Sequence, residues 1–191
     1  MRKIILASQS KARQKILQQI GLKFSVAVSS VKEDAAIKGQ CKDLVIANAA
    51  GKAKAVAGRF SSGVVIAADT VVLAGRQLIG KPKNKTDALK ILTLLSQKPH
   101  WVYSGLAVID IDRGKMFTAH DKTKIYMCKL TDVQIKNYLK KVSVLDKAGG
   151  FDIQGPGGVF IDRIEGCFYN VVGLPLAKLV KILHRLDVDI F

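Results

Sequence analysis

The chain has 191 residues, of which 49% are hydrophobic and 24% charged, and 31 lysines and arginines against 15 acidic residues give a net charge of +16. This composition is typical of a folded globular protein and excludes a disordered chain. The length suits one domain, or two lobes that share one core, and we assign residues 1–191 to a single domain. No apolar run approaches the roughly 20 residues that a membrane-spanning helix needs.

The cysteines indicate the compartment. There are three, Cys41, Cys128 and Cys167; they lie far apart and no CxxC pair occurs. This spacing predicts neither a zinc site nor a disulfide framework. The chain starts with basic residues but has no apolar stretch of signal-peptide length. We therefore expect a cytoplasmic protein that has no membrane partner.

The positive charge favours a polyanionic partner, such as nucleic acid, an acidic membrane surface or a phosphorylated small molecule. A lysine-rich surface that only keeps the protein soluble explains the charge equally well. Aromatic residues are only 6% of the chain. A stacking platform for single-stranded nucleic acid is therefore not evident, and we do not expect nucleic acid as a partner.

Hydrophobic periodicity predicts alternating strands and helices. The first strand covers residues 3–7, and Ser10 is the expected N-cap of the helix that follows and stops at Gly21. An apolar strand over residues 64–68 should end at Asp69. The other predicted elements, in chain order, are a strand over 23–29, a helix over 44–60, a hairpin of 71–73 with 77–79, a helix from Thr86 to about Ser96, a long hairpin of 102–111 with 116–130, a helix capped by Thr131, a strand over 159–164 and a helix opened by Pro175.

These elements predict an α/β fold. Because long antiparallel hairpins occur among the strands and helices, we expect a mixed, twisted sheet with flanking helices. Polar residues follow several of the strands. Asp69 follows the clearest strand and would lie at the carboxyl edge of the sheet, where α/β proteins bind ligands. A turn-forming aspartate that bonds its own backbone is the alternative.

The segment after the first strand has features of a phosphate-binding loop. A helix that begins near Lys11 directs free backbone N–H groups at whatever lies before it. Ser8 and Ser10 add hydroxyl groups, and Arg13 adds a planar guanidinium suited to phosphate oxygens. Simple capping by Ser10 and a solvent-exposed Arg13 are the alternatives. No P-loop or dinucleotide-binding motif is present.

Two acidic and two basic residues complete the candidate set. Glu33 and Asp69 are candidate ligands of Mg2+, which prefers carboxylate oxygens; an exposed loop charge is the alternative for Glu33. Lys52 lies on the alanine-rich predicted helix, where solvent exposure is the alternative. Lys81 precedes Pro82, which fixes the adjacent backbone; it could also be an ordinary loop lysine.

Several motifs occur together in one order along nearly the whole chain. They are LASQS at residues 6–10, AADTVV at 67–72, GKP at 80–82, DKAGGF at 146–151, IQG at 153–155 and VVGLP at 171–175. In this combination the chain resembles the Maf-like nucleoside triphosphate pyrophosphatases. The resemblance implies a two-lobed α/β fold, related to that of the inosine triphosphatases, around a central cleft. It also implies hydrolysis of a nucleoside triphosphate to the monophosphate and pyrophosphate with Mg2+ or Mn2+, commonly by a homodimer.

The resemblance also implies roles for individual residues. Asp69 matches the catalytic carboxylate, and Glu33 would share the metal ion with it. Thr70 and Gln154 fall where the family discriminates substrates, and they resemble the branch that acts on dTTP and UTP. The remaining polar residues that match positions lining the cleft are Ser8, Ser10, Arg13, Lys52 and Lys81, of which the two lysines would serve catalysis.

One position departs from the family pattern SxSPRR. Here the chain reads Ser10-Lys11-Ala12-Arg13, so Ala12 stands where an arginine helps to select the substrate. This departure leaves the preferred nucleotide open, non-canonical nucleotides included. It also leaves open a catalytically weak, nucleotide-binding regulator of cell division, while the charge leaves open a nucleic-acid-binding module.

Overall fold

The computed structural model describes residues 2–34 and 40–190. The chain folds into two compact units, each built from segments that are distant in sequence. The first unit comprises Met1–Asp69, Ser104–Asp121 and Gly173–Phe191, and the second comprises Thr70–Tyr103 and Lys122–Val172. Within the described ranges, none of the helices is both long and apolar enough to cross a bilayer.

Strands and helices alternate along the chain, as the periodicity predicted. In order they are β1 (Ile4–Leu6), α1 (Lys11–Gln19), β2 (Ser25–Val26), α2 (Cys41–Ala57), β3 (Val64–Ala74), β4 (Gln77–Ile79), α3 (Lys85–Gln97), β5 (His100–Asp110), β6 (Lys115–Met127), α4 (Asp132–Lys141), two 3-10 turns (Ala148–Gly150 and Pro156–Phe160), β7 (Ile161–Glu165), α5 (Phe168–Val172) and α6 (Leu176–His184).

The strands form one seven-stranded sheet in the order β2-β1-β3-β5-β6-β7, and β4 pairs with β3 outside that path. Strand β1 is parallel to both neighbours, with Ile5 opposite Ser25 on β2 and Val65 on β3. The β3–β4 and β6–β7 pairs are antiparallel. The sheet is therefore mixed and has flanking helices, which confirms the predicted fold class.

Helix α2 forms much of the core of the first unit. Its small side chains, among them Ala49 and Ala53, pack with Val65 and other buried residues of the strands. A Cβ atom at Gly105 would lie 2.2 Å from the backbone oxygen of Val45. Only glycine permits so close an approach of a strand to a helix, and alanine keeps the rest of that contact close.

In the second unit, α3 and α4 pack against each other. The core that they share is built from Leu92, Leu95, Ile125, Ile135 and other fully buried side chains. Thr131 caps α4 in a capping box, as its hydroxyl accepts from the N–H of Gln134 and the Gln134 side chain accepts from the N–H of Thr131. The predicted cap of this helix is confirmed.

The predictions for β1, for α1 with its Ser10 cap and for α6 after Pro175 are also confirmed. Several boundaries were wrong. Helix α2 runs from Cys41 to Ala57 and not over 44–60, and β6 ends at Met127 and not at 130. Strand β2 covers only Ser25–Val26. Helix α3 is capped by Asn84 and not by Thr86, because the Asn84 side chain accepts from the N–H of Asp87 at 2.8 Å. Residues Pro156–Phe160 form a 3-10 turn, so the predicted strand over 159–164 starts only at Ile161.

The predicted end of the strand at Asp69 and Thr70 was also wrong. Strand β3 continues through both residues to Ala74, and the predicted strand over 71–73 is its second half, paired with β4 around the turn at Gly75. A buried aspartate in a strand is costly unless its carboxylate has partners. Those partners come from α2, and they form the candidate site.

Candidate functional site

Asp69 lies in the middle of β3 with its side chain only 5% exposed. Its Oδ1 accepts from Lys52 Nζ at 2.7 Å, and its Oδ2 accepts from Asn48 Nδ2 at 3.0 Å. Both carboxylate oxygens therefore bond to side chains of α2. The alternative prediction for Asp69, a turn residue that bonds its own backbone, is wrong.

Helix α2 supplies both partners from one face. Asn48 and Lys52 are four residues apart, which places them one above the other on a helix. They belong to the buried stripe of α2, which also contains Leu44, Val45, Ala49, Ala53 and Val56. Solvent exposure, the alternative for Lys52, is therefore wrong: the residue is 8% exposed and lies among apolar neighbours.

Lys52 bridges two carboxylates. Its Nζ lies 2.6 Å from Glu33 Oε1 and 2.7 Å from Asp69 Oδ1, and it also contacts the carbonyl oxygen of Ala68 at 3.5 Å. The side chain of Glu33 is 49% exposed. The alternative prediction for Glu33, an exposed loop charge, is therefore right about its exposure, but Glu33 is also paired with Lys52. We call Glu33, Asn48, Lys52 and Asp69 the Asp69 cluster; its formal charge is −1.

The loop after β1 holds Arg13 from two sides. Arg13 Nη1 donates to Ser8 Oγ at 3.1 Å, and Arg13 Nε donates to the carbonyl oxygen of Gly173 at 2.8 Å. Ser8 Oγ also accepts from the backbone N–H of Ser10 at 3.2 Å. Ser10 in turn caps α1 by accepting from the Arg13 N–H. The predicted loop residues are therefore assembled into one hydrogen-bonded unit at the start of α1, where Ala12 is half-buried.

Arg13 also interacts electrostatically with the Asp69 cluster. Burial lowers the pKa of the Arg13 guanidinium, while the negative charges of Asp69 and Glu33 raise it. An arginine keeps its charge under such conditions because its ordinary pKa is so high. The first unit therefore combines a fixed cation and two carboxylates with the start of α1, where the N–H groups of Lys11 and Ala12 have no acceptor within the helix.

Three predicted residues lie in the second unit. Thr70 directly follows Asp69 on β3 and is half-buried, and Lys81 is exposed beside the buried Pro82. Gln154 is half-buried, and its backbone N–H donates to Asp152 Oδ1 at 3.1 Å. Their predicted roles in catalysis and substrate recognition stay predictions.

Asn48 was missed in the sequence. Its spacing from Lys52 was visible, but a single asparagine on an alanine-rich helix gives no sign of a buried role. Alanine provides little contrast between an apolar and a polar face, so the buried side of α2 could not be identified. The carbonyl of Gly173, which orients Arg13, was also missed, because a backbone acceptor leaves no signature in the residue types.

The Asp69 cluster has carboxylate oxygens of the kind that a hard divalent cation binds. In the part of the chain that the structure describes, no group of three or more His, Cys, Asp or Glu side chains could hold a metal ion. Mg2+ commonly needs only one or two carboxylates and takes its other ligands from water and substrate phosphates. Each oxygen of Glu33 and Asp69 can accept more than one hydrogen bond or metal contact, so these two residues match that need.

The sheet and the Asp69 cluster define a mixed α/β protein with a charged site in its first unit. The family described as Maf-like protein matches residues 3–186. The chain belongs to this family, as its motifs predicted.

Two relatives carry the same name. The dTTP/UTP pyrophosphatase of Methanosarcina barkeri is 45% identical, with the similarity covering 100% of this chain and 98% of the relative. The dTTP/UTP pyrophosphatase of Clostridium botulinum is 42% identical over the full length of both chains.

Among solved structures, the Ham1 protein of Staphylococcus aureus is similar to this chain. The alignment covers 67% of this chain and 73% of the Ham1 chain, at 16% identity and a TM-score of 0.46. A structural likeness at that level does not bear on function.

Proposed function

We propose that the protein hydrolyses nucleoside triphosphates, foremost dTTP and UTP, to the monophosphate and pyrophosphate. The observation that carries the proposal is the bridge of Lys52 between Glu33 and Asp69, in the same unit as the Ser8–Arg13 loop. The names of the relatives, which are more than 40% identical over the whole chain, support it.

The loop after β1 would bind phosphate oxygens. Arg13 stays charged, and the first N–H groups of α1 have no partners within the helix. Ser8 Oγ already accepts two hydrogen bonds, from Arg13 and from Ser10. Its own O–H is therefore the group left to donate to a phosphate oxygen. The loop thus offers several donors to a triphosphate.

Asp69 would activate the water molecule that attacks the α-phosphorus. Lys52 and Asn48 both donate to its carboxylate, so both of its oxygens act as acceptors. Such a group can take a proton from water as a general base. Glu33 and Asp69 would also hold Mg2+ or Mn2+, which when bound neutralises phosphate charge and makes water more acidic.

Lys52 has a different task from the one that the resemblance suggests. Its ammonium group has three N–H donors, and the structure gives it three acceptors, on Glu33, Asp69 and Ala68. We therefore assign Lys52 to holding the two carboxylates together. Arg13 and the predicted Lys81 are left to stabilise the charge that develops on the departing pyrophosphate.

The preference for dTTP and UTP rests on Thr70 and Gln154. The amide of Gln154 offers a donor and an acceptor, which suits the mixed edge of uracil or thymine. A site built around such bonds rejects bases that leave its polar groups unpaired. Because Ala12 lacks the donors of the usual arginine, we expect weaker discrimination than in relatives that have it.

Incubation with dTTP, UTP, ATP and 7-methyl-GTP, with separate detection of pyrophosphate and inorganic phosphate, tests the proposal. We expect pyrophosphate and monophosphate, fastest from dTTP or UTP, with Mg2+ or Mn2+ and none in excess EDTA. Inorganic phosphate as the first product would place the attack at another phosphorus. Nucleotide binding without turnover would indicate a regulator. Full activity in EDTA would contradict the metal assignment.

The homodimer and the cytoplasmic setting also stay predictions. Both come from the sequence, the first through the resemblance and the second through the cysteines. Sedimentation equilibrium decides the first, since a dimer would have twice the 20.7 kDa of one chain. Fractionation of the source cells decides the second.

A further inference from the structure

We propose that Asn48 is a positioning residue that holds the segment carrying Glu33 in register with Asp69; the inference rests on the proposed function. The side chain of Asn48 makes three hydrogen bonds, each of 3.0 Å. Oδ1 accepts from the backbone N–H of Asp34, and Nδ2 donates both to the carbonyl oxygen of Asp34 and to Asp69 Oδ2.

The pairing with Asp34 fixes orientation as well as distance. One amide group bonds both the N–H and the C=O of a single residue, so that segment can neither rotate nor slide without breaking a bond. Asn48 itself is 8% exposed and lies on the rigid helix α2. We call these two hydrogen bonds with Asp34 the Asn48 clamp. They fix the backbone next to Glu33 relative to helix α2.

Glu33 needs such a clamp because it lies outside the helices and strands. Its side chain is 49% exposed, so packing does not hold it. The Lys52 ion pair holds its carboxylate, and the Asn48 clamp holds the adjacent backbone. Since Asn48 and Lys52 are one turn apart on α2, a single helix face sets the positions of both carboxylates of the Asp69 cluster.

Leucine, aspartate and glutamine would each lose or displace some of the three hydrogen bonds that Asn48 makes. Leucine has a similar size but would leave the backbone N–H and C=O of Asp34 without this partner. Aspartate would keep an acceptor but lose both donors, and would place a second carboxylate against Asp69. Glutamine is longer by one methylene group and would displace the segment.

The test is the kinetics of Asn48→Leu with dTTP and Mg2+. We expect kcat to fall roughly 10- to 100-fold, as when a supporting partner of a site residue is lost. KM should change less than about threefold, because the phosphate-binding loop is untouched. The matched control is Asn170→Leu, which removes a fully buried asparagine of the second unit that donates to the Val102 carbonyl and to Thr123. It should lose stability but keep kcat.

A double-mutant cycle separates positioning from a general loss of stability. If Asn48 acts through Glu33, Asn48→Leu should slow the Glu33→Gln enzyme by less than about twofold. Additive losses, a wild-type kcat in Asn48→Leu, or an equal loss in Asn170→Leu would overturn the inference.

An exchange measurement tests the clamp without activity. Hydrogen–deuterium exchange of the Asp34 amide should speed up at least about tenfold in Asn48→Leu and stay unchanged in Asn170→Leu. Unchanged exchange in Asn48→Leu would overturn the inference even in an active enzyme. A wild-type protein that releases no pyrophosphate would instead refute the proposed function, and the exchange result would still decide whether the clamp exists.

Discussion

The first unit buries two aspartates, and their surroundings differ. Asp69 shares Lys52 with Glu33, a half-exposed carboxylate. Asp110, at the end of β5, is fully buried, and both of its oxygens accept from Arg2. Arg2 also bonds Asp112, and Arg113 links Asp110 to Asp187. We call this second set the Asp110 network.

The partner of each aspartate explains the difference. Arginine binds a carboxylate with a rigid planar fork that occupies both oxygens. These hydrogen bonds hold the pKa of Asp110 below its usual value and raise the pKa of Arg2. Lysine is a compact charge that two carboxylates can share, and Lys52 contacts one oxygen of Glu33 and one oxygen of Asp69. Burial alone therefore does not distinguish the aspartate of the candidate site from the aspartate of the Asp110 network.

The largest effect should come from Asp69→Asn. The amide keeps the shape of the side chain but cannot accept a proton or hold a metal ion in the same way, so kcat/KM for dTTP should fall at least about a hundredfold. The fold should survive, because Lys52 keeps Glu33 as a partner. Steady-state kinetics and circular dichroism measure the two effects. A rate near that of the wild type would make Asp69 a structural residue.

The opposite result is expected for Asp110→Asn. Loss of the charge leaves Arg2 with Asp112 as its remaining acidic partner, and the free energy of unfolding should fall by roughly 2 to 3 kcal/mol, as for a lost charged hydrogen bond. At a temperature where the variant is folded, kcat should stay within about twofold of the wild-type value. Urea unfolding and kinetics on the same preparation check this. A large loss of kcat would erase the contrast between the two aspartates.

The sequence predicted local features of the fold and site better than long-range ones. Ser10 and Thr131 were identified as caps because a cap depends on residues three positions away. Asp69, in contrast, was wrongly placed at a strand end. The partners that allow a charged residue inside the strand are Asn48 and Lys52, which are 21 and 17 residues away in the chain. No local pattern shows that a helix will bring an ammonium group to that strand. Apart from Asn48, the side chains of the Asp69 cluster were recognisable in the sequence, but their pairing was not.

His100 of the second unit is also a buried titratable group, and it extends the comparison because it is neutral. Burial lowers the pKa of His100 to about 4 from 6.5. Its contribution to stability is complete above pH 6.5 and is lost as the pH falls from 6.5 to 4, because only the unfolded chain binds the proton there. The loss should reach about 2 kcal/mol at pH 5. Unfolding free energies at pH 7 and 5 should show it in the wild type and in His184→Gln, an exposed control. The same loss in His100→Leu would contradict this origin.

The smallest effect concerns substrate choice. Ala12→Arg restores a guanidinium at the start of α1. The ratio of kcat/KM for dTTP over ATP should rise roughly fivefold, because the added N–H donors stabilise only a base that has matching acceptors. Gln14→Arg adds the same charge on another face of α1 and should leave the ratio unchanged. An equal rise in both variants would mean that charge alone acts. No change in Ala12→Arg would show that position 12 does not contact the base.

The site of bond cleavage tests the central claim most directly. The wild-type protein is allowed to hydrolyse dTTP with Mg2+ in water labelled with oxygen-18, and both products are analysed by mass spectrometry. We expect the label in the monophosphate and none in pyrophosphate, because water attacks the α-phosphorus. Label in pyrophosphate would place the attack at the β-phosphorus and contradict the account of the Asp69 cluster.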